Sequence, residues 1–401
     1  MPDRILTSHA GSLPRPEDLI ALNERRAEGD FTNEEEYLAR LRAAVADVVA
    51  RQREAGIDLV NDGEYGHSMG QRYDYGTWWT YVFQRLSNVE LTDLSIAEIP
   101  QPAAKPGEIR LASFAERRDW LAFDDAYQDP TAGVALPNRA AVAPVCRGPI
   151  TYQGQEDVQR DIADMKAAMA VAGVSDGFLN SVAPASCARF GNEYYADDEE
   201  MMYACADAMR EEYTAIIDAG LVLQLDDPAI AENWDQINPA PSVEDYRRFT
   251  RKRIEALNYA IRDLPTERIR FHLCWGSWHG PHITDFPMVD LIDIMLEVNA
   301  GAYSFEAANV RHEHEWKIWR DVKLPEGKVI LPGVVSHSTN VVEHPELVAD
   351  RILRFAEAVG RDNVVASTDC GLGGRVHPQI AWAKLDTLVK GAELSSARLW
   401  G

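Results

Sequence analysis

The chain reads as an α/β protein folded as a (β/α)8 barrel, with a segment inserted after the second strand. Three observations predict this. Apolar, β-branched runs recur along the chain with amphipathic helical stretches between them, the pattern of a parallel sheet covered by helices. Almost every run ends in polar residues that a plain core would not take, and barrel enzymes place their chemistry at strand C-termini. No repeat of about 20–50 residues and no low-complexity linker divides the sequence, so residues 1–401 are expected to form a single domain.

The elements follow in order. "RILTSHA" (4–10) is the first candidate strand and runs into "SHAGS". A helix is expected over "EEEYLARLRAAVADVVARQREAG" (34–56), then a strand over "IDLVND" (57–62) ending in "NDGE". From about 65 to 139 the alternation breaks; this stretch carries "YDYGTWWTYVF" and reads as an insertion or lid. Further strands are expected over 140–146, 177–183, 221–227, 268–274, 302–308, 328–336 and 363–370. Helices are expected over "EDYRRFTRKRIEALNYAIRDL" and over "ELVADRILRFAEAVG", the latter closed by Gly360 as a C-cap. Nine strand candidates compete for the eight places of a TIM barrel, so one lies outside it.

Composition narrows the partners. The chain is 46% hydrophobic and 26% charged, normal for a globular protein with a sizeable core. A net charge of −24 repels nucleic acid and anionic lipid, so neither is expected as a partner. No run of 18 apolar residues could span a membrane. The opening "MPDRILTSHAGSLPRP" has no signal-peptide core. Five scattered cysteines do not form a disulfide framework, which points to a reducing cytoplasm where clustered Cys and His mean metal or catalysis. A homo-oligomer is compatible with all of this.

The stretch "RFHLCWGSWHGPH" (270–282) holds three of the ten histidines. Side chains two apart on a strand share a face. His272 and Cys274 would therefore point the same way at the end of a strand, as two metal ligands do. Glu306 ends the next strand and Cys370 the last. Two thiolates, an imidazole and a carboxylate suit tetrahedral Zn²⁺, not Mg²⁺ or Ca²⁺. The plainer reading is that both cysteines are buried small hydrophobes. Zinc with so negative a ligand set would hold a further thiol as a thiolate rather than make hydroxide, which points to S-alkylation.

From "TSHAGSLPRP" to "DCGLGGR" the sequence resembles the catalytic C-terminal barrel of cobalamin-independent methionine synthase and its short relatives, among them the epoxyalkane–coenzyme M transferases. The resemblance implies zinc on His272, Cys274, Glu306 and Cys370. It implies that Ala10-Gly11-Ser12 contact the carboxylate of homocysteine, and that Glu64 in "NDGE" and Asp226 in "QLDDPA" hold its amino group by charge-assisted bonds. Only the catalytic half of the long enzymes is matched. The tryptophan that stacks on folate in the family aligns with Gln155. The family's catalytic histidine falls on His337 or, in an ungapped alignment, on Ser338. "GLGGR" keeps Arg375 but loses the family's lysine.

Other residues carry two readings each. Glu64 and Asp226 could be caps or ion-pair partners. Asp227 is expected to turn away from Asp226 to a helix cap or an arginine. His337 is an acid–base candidate or a structural histidine. His279 and His282 are substrate contacts or surface residues, and His312 and His314 are expected at the surface of a helix start. Trp78, Trp79 and Tyr81 are core packing or a stacking wall for the donor. Arg15 and Arg375 are structural or bind substrate carboxylates. The expected function is a zinc-dependent S-methyltransferase moving a methyl group from a methylfolate-type or other donor to a small-molecule thiol, homocysteine first. The alternatives are epoxide opening by coenzyme M or a similar thiol, and a non-catalytic zinc-containing binding protein.

Overall fold

The computed structural model describes residues 3–27, 32–67, 77–95, 109–111, 116–134 and 142–401. The start of the expected aromatic run, 73–76, lies outside the described residues, as do much of the expected insertion and residues 140–141 of the third strand candidate.

Eight parallel strands form one curled sheet. They are β1 (Leu6–Thr7), β2 (Val60–Asn61), β5 (Gly177–Val182), β7 (Val222–Asp226), β8 (Ile269–Leu273), β9 (Ala302–Phe305), β10 (Val329–Val335) and β11 (Val365–Thr368). Their spatial order is β1-β11-β10-β9-β8-β7-β5-β2. The two ends of that order meet: the N–H groups of Asp58 and Leu59 donate to Thr7 O at 3.2 and 3.1 Å. This is a TIM-like arrangement, as expected. The extra candidate is 140–146. Its β4 (Val142–Cys146) pairs antiparallel with β3 (Val89–Ser95) and parallel with β6 (Gly191–Asn192), in a separate three-stranded sheet. A short apolar run shows that a strand forms but not which sheet it joins.

Helices cover the sheet, three of them over stretches the sequence marks as helical, though the one expected over 244–264 ends at Ala260. Glu34–Ala55 ends at Gly56, whose φ of 91° is left-handed. Asp198–Asp218 begins at Asp197, whose carboxylate accepts the Glu200 N–H at 2.8 Å. Val243–Ala260 begins likewise at Ser242, which accepts the Asp245 N–H at 3.1 Å. Each cap satisfies a donor that the helix itself leaves unpaired. Pro345–Val359 closes at Gly360 as expected, the Gly360 N–H reaching Ala356 O. The last helix, Pro378–Trp400, lies close against it because Gly391 has no side chain; a Cβ there would stand 2.3 Å from Val348. No helix among the described residues is long and apolar enough to cross a membrane.

The sheet's apolar residues pack outward against these helices: Leu223, Leu225, Phe271 and Ile330 are fully buried. The other face is unusual. Ser8, His9, Asn61, Asn180, Gln224, Arg270, His272 and Ser304 are all buried too. Buried polar groups must be hydrogen-bonded to be tolerated, so this polar interior forms a network, and the candidate site stands on it.

Candidate functional site

Strand β8 carries Arg270 and His272 on one face, and Cys274 follows one residue past its end. His272 Nδ1 bonds to Ser304 Oγ of the neighbouring β9 at 3.0 Å. The other ring nitrogen, Nε2, is buried and has no protein partner. Cys370 lies just past β11. The ligand atoms of His272, Cys274 and Cys370 all lie within 4.8 Å of one another. Contact with Cys274, and His272 beside it, holds the Cys370 thiol well below the usual range, while contact with Cys370 pushes Cys274 well above. A thiolate beside an imidazole whose lone pair is fixed by a hydroxyl on its far nitrogen is a donor set suited to Zn²⁺.

Glu306, the fourth expected ligand, sits one residue past β9. Its Oε1 accepts the Trp275 N–H at 2.9 Å, and its Oε2 accepts Asn309 Nδ2 at 2.6 Å. It groups with His337 and Asp369, ligand atoms again within 4.8 Å of one another. Three of the four expected ligands therefore converge, and Glu306 borders them in an adjoining cluster. Asp369 anchors the turn after Glu306: its Oδ1 accepts the N–H groups of Ala307 and Ala308, each at 2.7 Å. Burial pushes Asp369 up to about 7. His337 Nδ1 is buried without a protein partner, and burial lowers that imidazole to about 3. Ser338 is exposed and folds back on Ser336, Oγ to Oγ 2.9 Å. Of the two residues that could take the catalytic histidine's place, His337 is the one in the cluster.

A second group forms beside the first, around Gly11, whose φ of 120° only glycine adopts readily. A Cβ on Gly11 would come 2.4 Å from Asn180 Nδ2 and 2.5 Å from Glu64 Oε1, so both side chains rest on its bare face. Glu64 is itself held at a φ of 59°, its N–H bonded to Asp62 Oδ1 at 2.9 Å. Burial, with the Asp226 charge next, raises the Glu64 carboxyl well above its usual range. Burial pushes Asp226 up to about 6. Two buried carboxylates facing each other are arranged to receive a cation. Asp227 does turn away: its Oδ1 accepts Ser186 Oγ at 2.7 Å, with Arg253 and Arg189 nearby.

The other expected residues are placed as follows. Ser12 O accepts the N–H groups of Leu372 and Gly373, which ties the first loop to the one after Cys370. Arg15 bonds to the carbonyls of Glu64 and His67, and Arg375 Nε bonds to Ser277 Oγ at 2.8 Å. His279 Nε2 reaches His337 O at 3.3 Å. Trp79 is buried edge-on to Phe83, and Trp78 is half-buried against the core. Gln155 stands apart: it is exposed at the start of the helix Gln155–Ala172 and bonds to Tyr152 O and Glu211. His314 is exposed as expected, but His312 is not. It is buried between Asp285 and Glu315, at 3.0 and 2.8 Å, and stacked on Trp275. Both carboxylates pair with the ring and draw it inward; Glu315 lies within "RHEHEW", but Asp285 does not, so that stretch alone does not reveal the burial.

The family model for the catalytic domain of cobalamin-independent synthase matches residues 135–394. The chain belongs to the cobalamin-independent methionine synthase family. A methionine synthase of Thermococcus kodakarensis is 24% identical over 97% of this chain and 92% of its own. Among solved structures, a B12-independent methionine synthase from a Shewanella species has a TM-score of 0.69 at 19% identity, covering 99% of both chains. A putative B12-independent methionine synthase from Listeria monocytogenes has a TM-score of 0.62 at 18% identity, again covering 99% of both. At these identities the two structures attest the fold.

Several members of the site were not singled out from the sequence: Ser304, Asn309, Asp369, Asn180, Gln224 and Arg270. A signal was available for half of them. Gln224, Arg270 and Ser304 each lie two residues before Asp226, His272 and Glu306. The same-face rule that pairs His272 with Cys274 would have placed all three beneath their partners.

Proposed function

We propose that this chain is a zinc-dependent S-methyltransferase that moves a methyl group from a methylfolate-type or other methyl donor to homocysteine, giving methionine. The observation that carries the reading is the convergence of two cysteines on His272, whose Nε2 is buried, unpartnered and aimed by Ser304. His272, Cys274 and Cys370, with Glu306 beside them, would hold the ion. Bound there, zinc would lower the pKa of the acceptor thiol so that it is a nucleophile at neutral pH.

The chain's own residues supply the rest. Glu64 and Asp226 bind the acceptor's ammonium group, and the Ala10-Gly11-Ser12 turn takes its carboxylate. This fixes which way the thiol points, and orientation is most of what a simple displacement needs. His337 borders Glu306 and keeps one buried ring nitrogen without a protein partner. In this reading it relays the proton that the thiol releases to the departing nitrogen or oxygen of the donor. Epoxide opening by a sulfonate thiol is the weaker reading, because such a thiol has no amine for Glu64 and Asp226.

The test is to purify the protein with its native metal, measure zinc content, and offer homocysteine and coenzyme M separately with methyl donors and with epoxides. Methionine formation that stops on zinc removal and returns on its addition is expected. Turnover of coenzyme M with an epoxide, and none of homocysteine, would overturn the proposal.

A further inference from the structure

Asp226 is held by two amides, and the direction of each is dictated from outside. On one side the chain begins at a backbone group: the Gly63 N–H donates to Asn61 Oδ1 at 2.5 Å. The Asn61 amide nitrogen must then face the other way, where it donates to Phe178 O at 3.2 Å and to Asn180 Oδ1 at 3.0 Å. With its oxygen engaged, Asn180 turns Nδ2 toward Asp226 Oδ2 at 2.9 Å and Ala10 O at 3.0 Å. Reversing that amide would set its oxygen against two acceptors.

On the other side stands Arg270, a donor only. Its guanidinium bonds to Gln224 Oε1, Ser8 Oγ and His9 O. Gln224 Nε2 is thereby turned to Asp226 Oδ1 and to Ala10 O, both at 2.7 Å. Each carboxylate oxygen of Asp226 thus takes one amide N–H. All of these side chains are buried. The line of bonds starts at the residue before Glu64 and doubles up on the carbonyl of the residue before Gly11. It fixes the separation of the two acidic groups and the turn between them.

We propose that Asn180 and Gln224 are the positioning residues that make this pocket selective for thiols bearing an α-amino group, by presenting Asp226 as a fixed, acceptor-only carboxylate opposite Glu64. The proposal rests on the reading of Asp226 as the amine anchor. A carboxylate offers about four acceptor positions; the amides take two and leave the others for an ammonium. A thiol without the amine leaves two buried acidic groups facing each other unpaired. Sites built around a substrate's polar group discriminate most strongly against the analogue lacking it.

The experiment compares homocysteine with the same thiol lacking its amino group, mercaptobutyrate, in the zinc-loaded enzyme. The variants are Asn180→Leu and Gln224→Met, close in size to the originals, and Asn180→Ala, which removes the donors without adding bulk or charge. Each should lower the selectivity ratio, kcat/KM for homocysteine over kcat/KM for mercaptobutyrate, by about ten-fold, the scale of one hydrogen bond to a charged group. The change should lie in the homocysteine KM, with zinc content retained. A ratio unchanged in the folded variants, or equal losses with both thiols, would overturn the proposal. Should one variant fail to fold, the other two decide. An unmodified enzyme that does not prefer homocysteine to mercaptobutyrate would instead sink the underlying assignment of Asp226.

Discussion

Ser304 is a small residue on which the metal reading leans heavily. Its hydroxyl bonds His272 Nδ1 and leaves Nε2 unpartnered. Partners of this kind beyond the ligands set metal affinity by about 10- to 100-fold. Ser304→Ala should therefore weaken zinc binding on that scale in a chelator competition, while Cys370→Ser should lose most of the metal. An unchanged affinity in Ser304→Ala would show that the imidazole is aimed by something else. Asp226→Asn tests the other half of the site. It should raise the homocysteine KM about ten- to a hundred-fold and leave zinc in place; loss of zinc instead would move Asp226 to the metal side. Asp62 makes a prediction about pH. Burial and the nearby Asp161 push its carboxyl from 3.8 up to about 7. The folded protein then holds a proton that the unfolded chain has released. This contribution is full below the ordinary carboxylate value and is lost as pH rises toward about 7. Asp62→Asn keeps the oxygen that accepts the Glu64 N–H. Relative to the parent it should gain stability as urea unfolding is moved from about pH 5 to about pH 8. A difference that is flat over that range would mean that Asp62 is ionised throughout.

The loop that leaves β8 joins the proposed metal ligands to residues lying between β2 and β4. Trp278 Nε1 donates to Tyr127 OH at 2.8 Å, and Tyr127 donates in turn to Asp119 Oδ2 at 2.8 Å. Asp119 Oδ1 accepts the Ile283 N–H, closing the contact. The indole fits because Gly276 and Gly280 flank it; a Cβ on either would stand 2.1 Å from the ring. Gly276 also has a φ of 91°. Gly133 is the control, with a φ of 74° and open space around it. Gly133→Ala should cost about 1–2 kcal/mol, the left-handed conformation alone. Gly276→Ala should cost clearly more by urea unfolding and should also weaken zinc binding, because Cys274 lies two residues away. Equal costs would mean that Trp278 yields freely. How much of this was readable in advance differs by element. The strand ends carrying His272, Cys274, Glu306, Asp226 and Cys370 were legible, since two-residue periodicity and polar endings are local signals. The assignment of 140–146 to a separate sheet was not, because pairing depends on partners distant in sequence. Nor was the burial of His312, which is decided by Asp285, a residue 27 positions away in the chain.

At the scale of the whole molecule, charge bears on the methyl donor. The chain carries a net charge of −24, and a polyglutamyl methylfolate is itself a string of carboxylates. Repulsion between them acts over about 8 Å at physiological salt, so it is mild, but every added glutamate increases it. Gln155, which the resemblance aligns with the family's folate-stacking tryptophan, is exposed and bonded to Glu211. A ring under a pterin contributes roughly 0.5–1.5 kcal/mol beyond its buried area, and an amide tied to a carboxylate does not supply that face. The lysine that the resemblance leads one to expect near Arg375 is absent as well, so one cation expected to meet the tail is missing. These three features act in the same direction. Triglutamyl methylfolate should therefore serve no better than the monoglutamyl form with homocysteine as acceptor, and smaller methyl donors should compete with both. Added salt should lower the KM for the triglutamyl form more than for the monoglutamyl form, because screening removes only the electrostatic part. Among the described residues, half-buried Trp78 is the candidate for a compensating stacking face, whereas Trp79 is buried against Phe83. Micromolar, triglutamate-dependent turnover would show that this face is used. Trp78→Ala would then abolish the preference, and the proposed zinc-thiolate chemistry would be unaffected by that outcome.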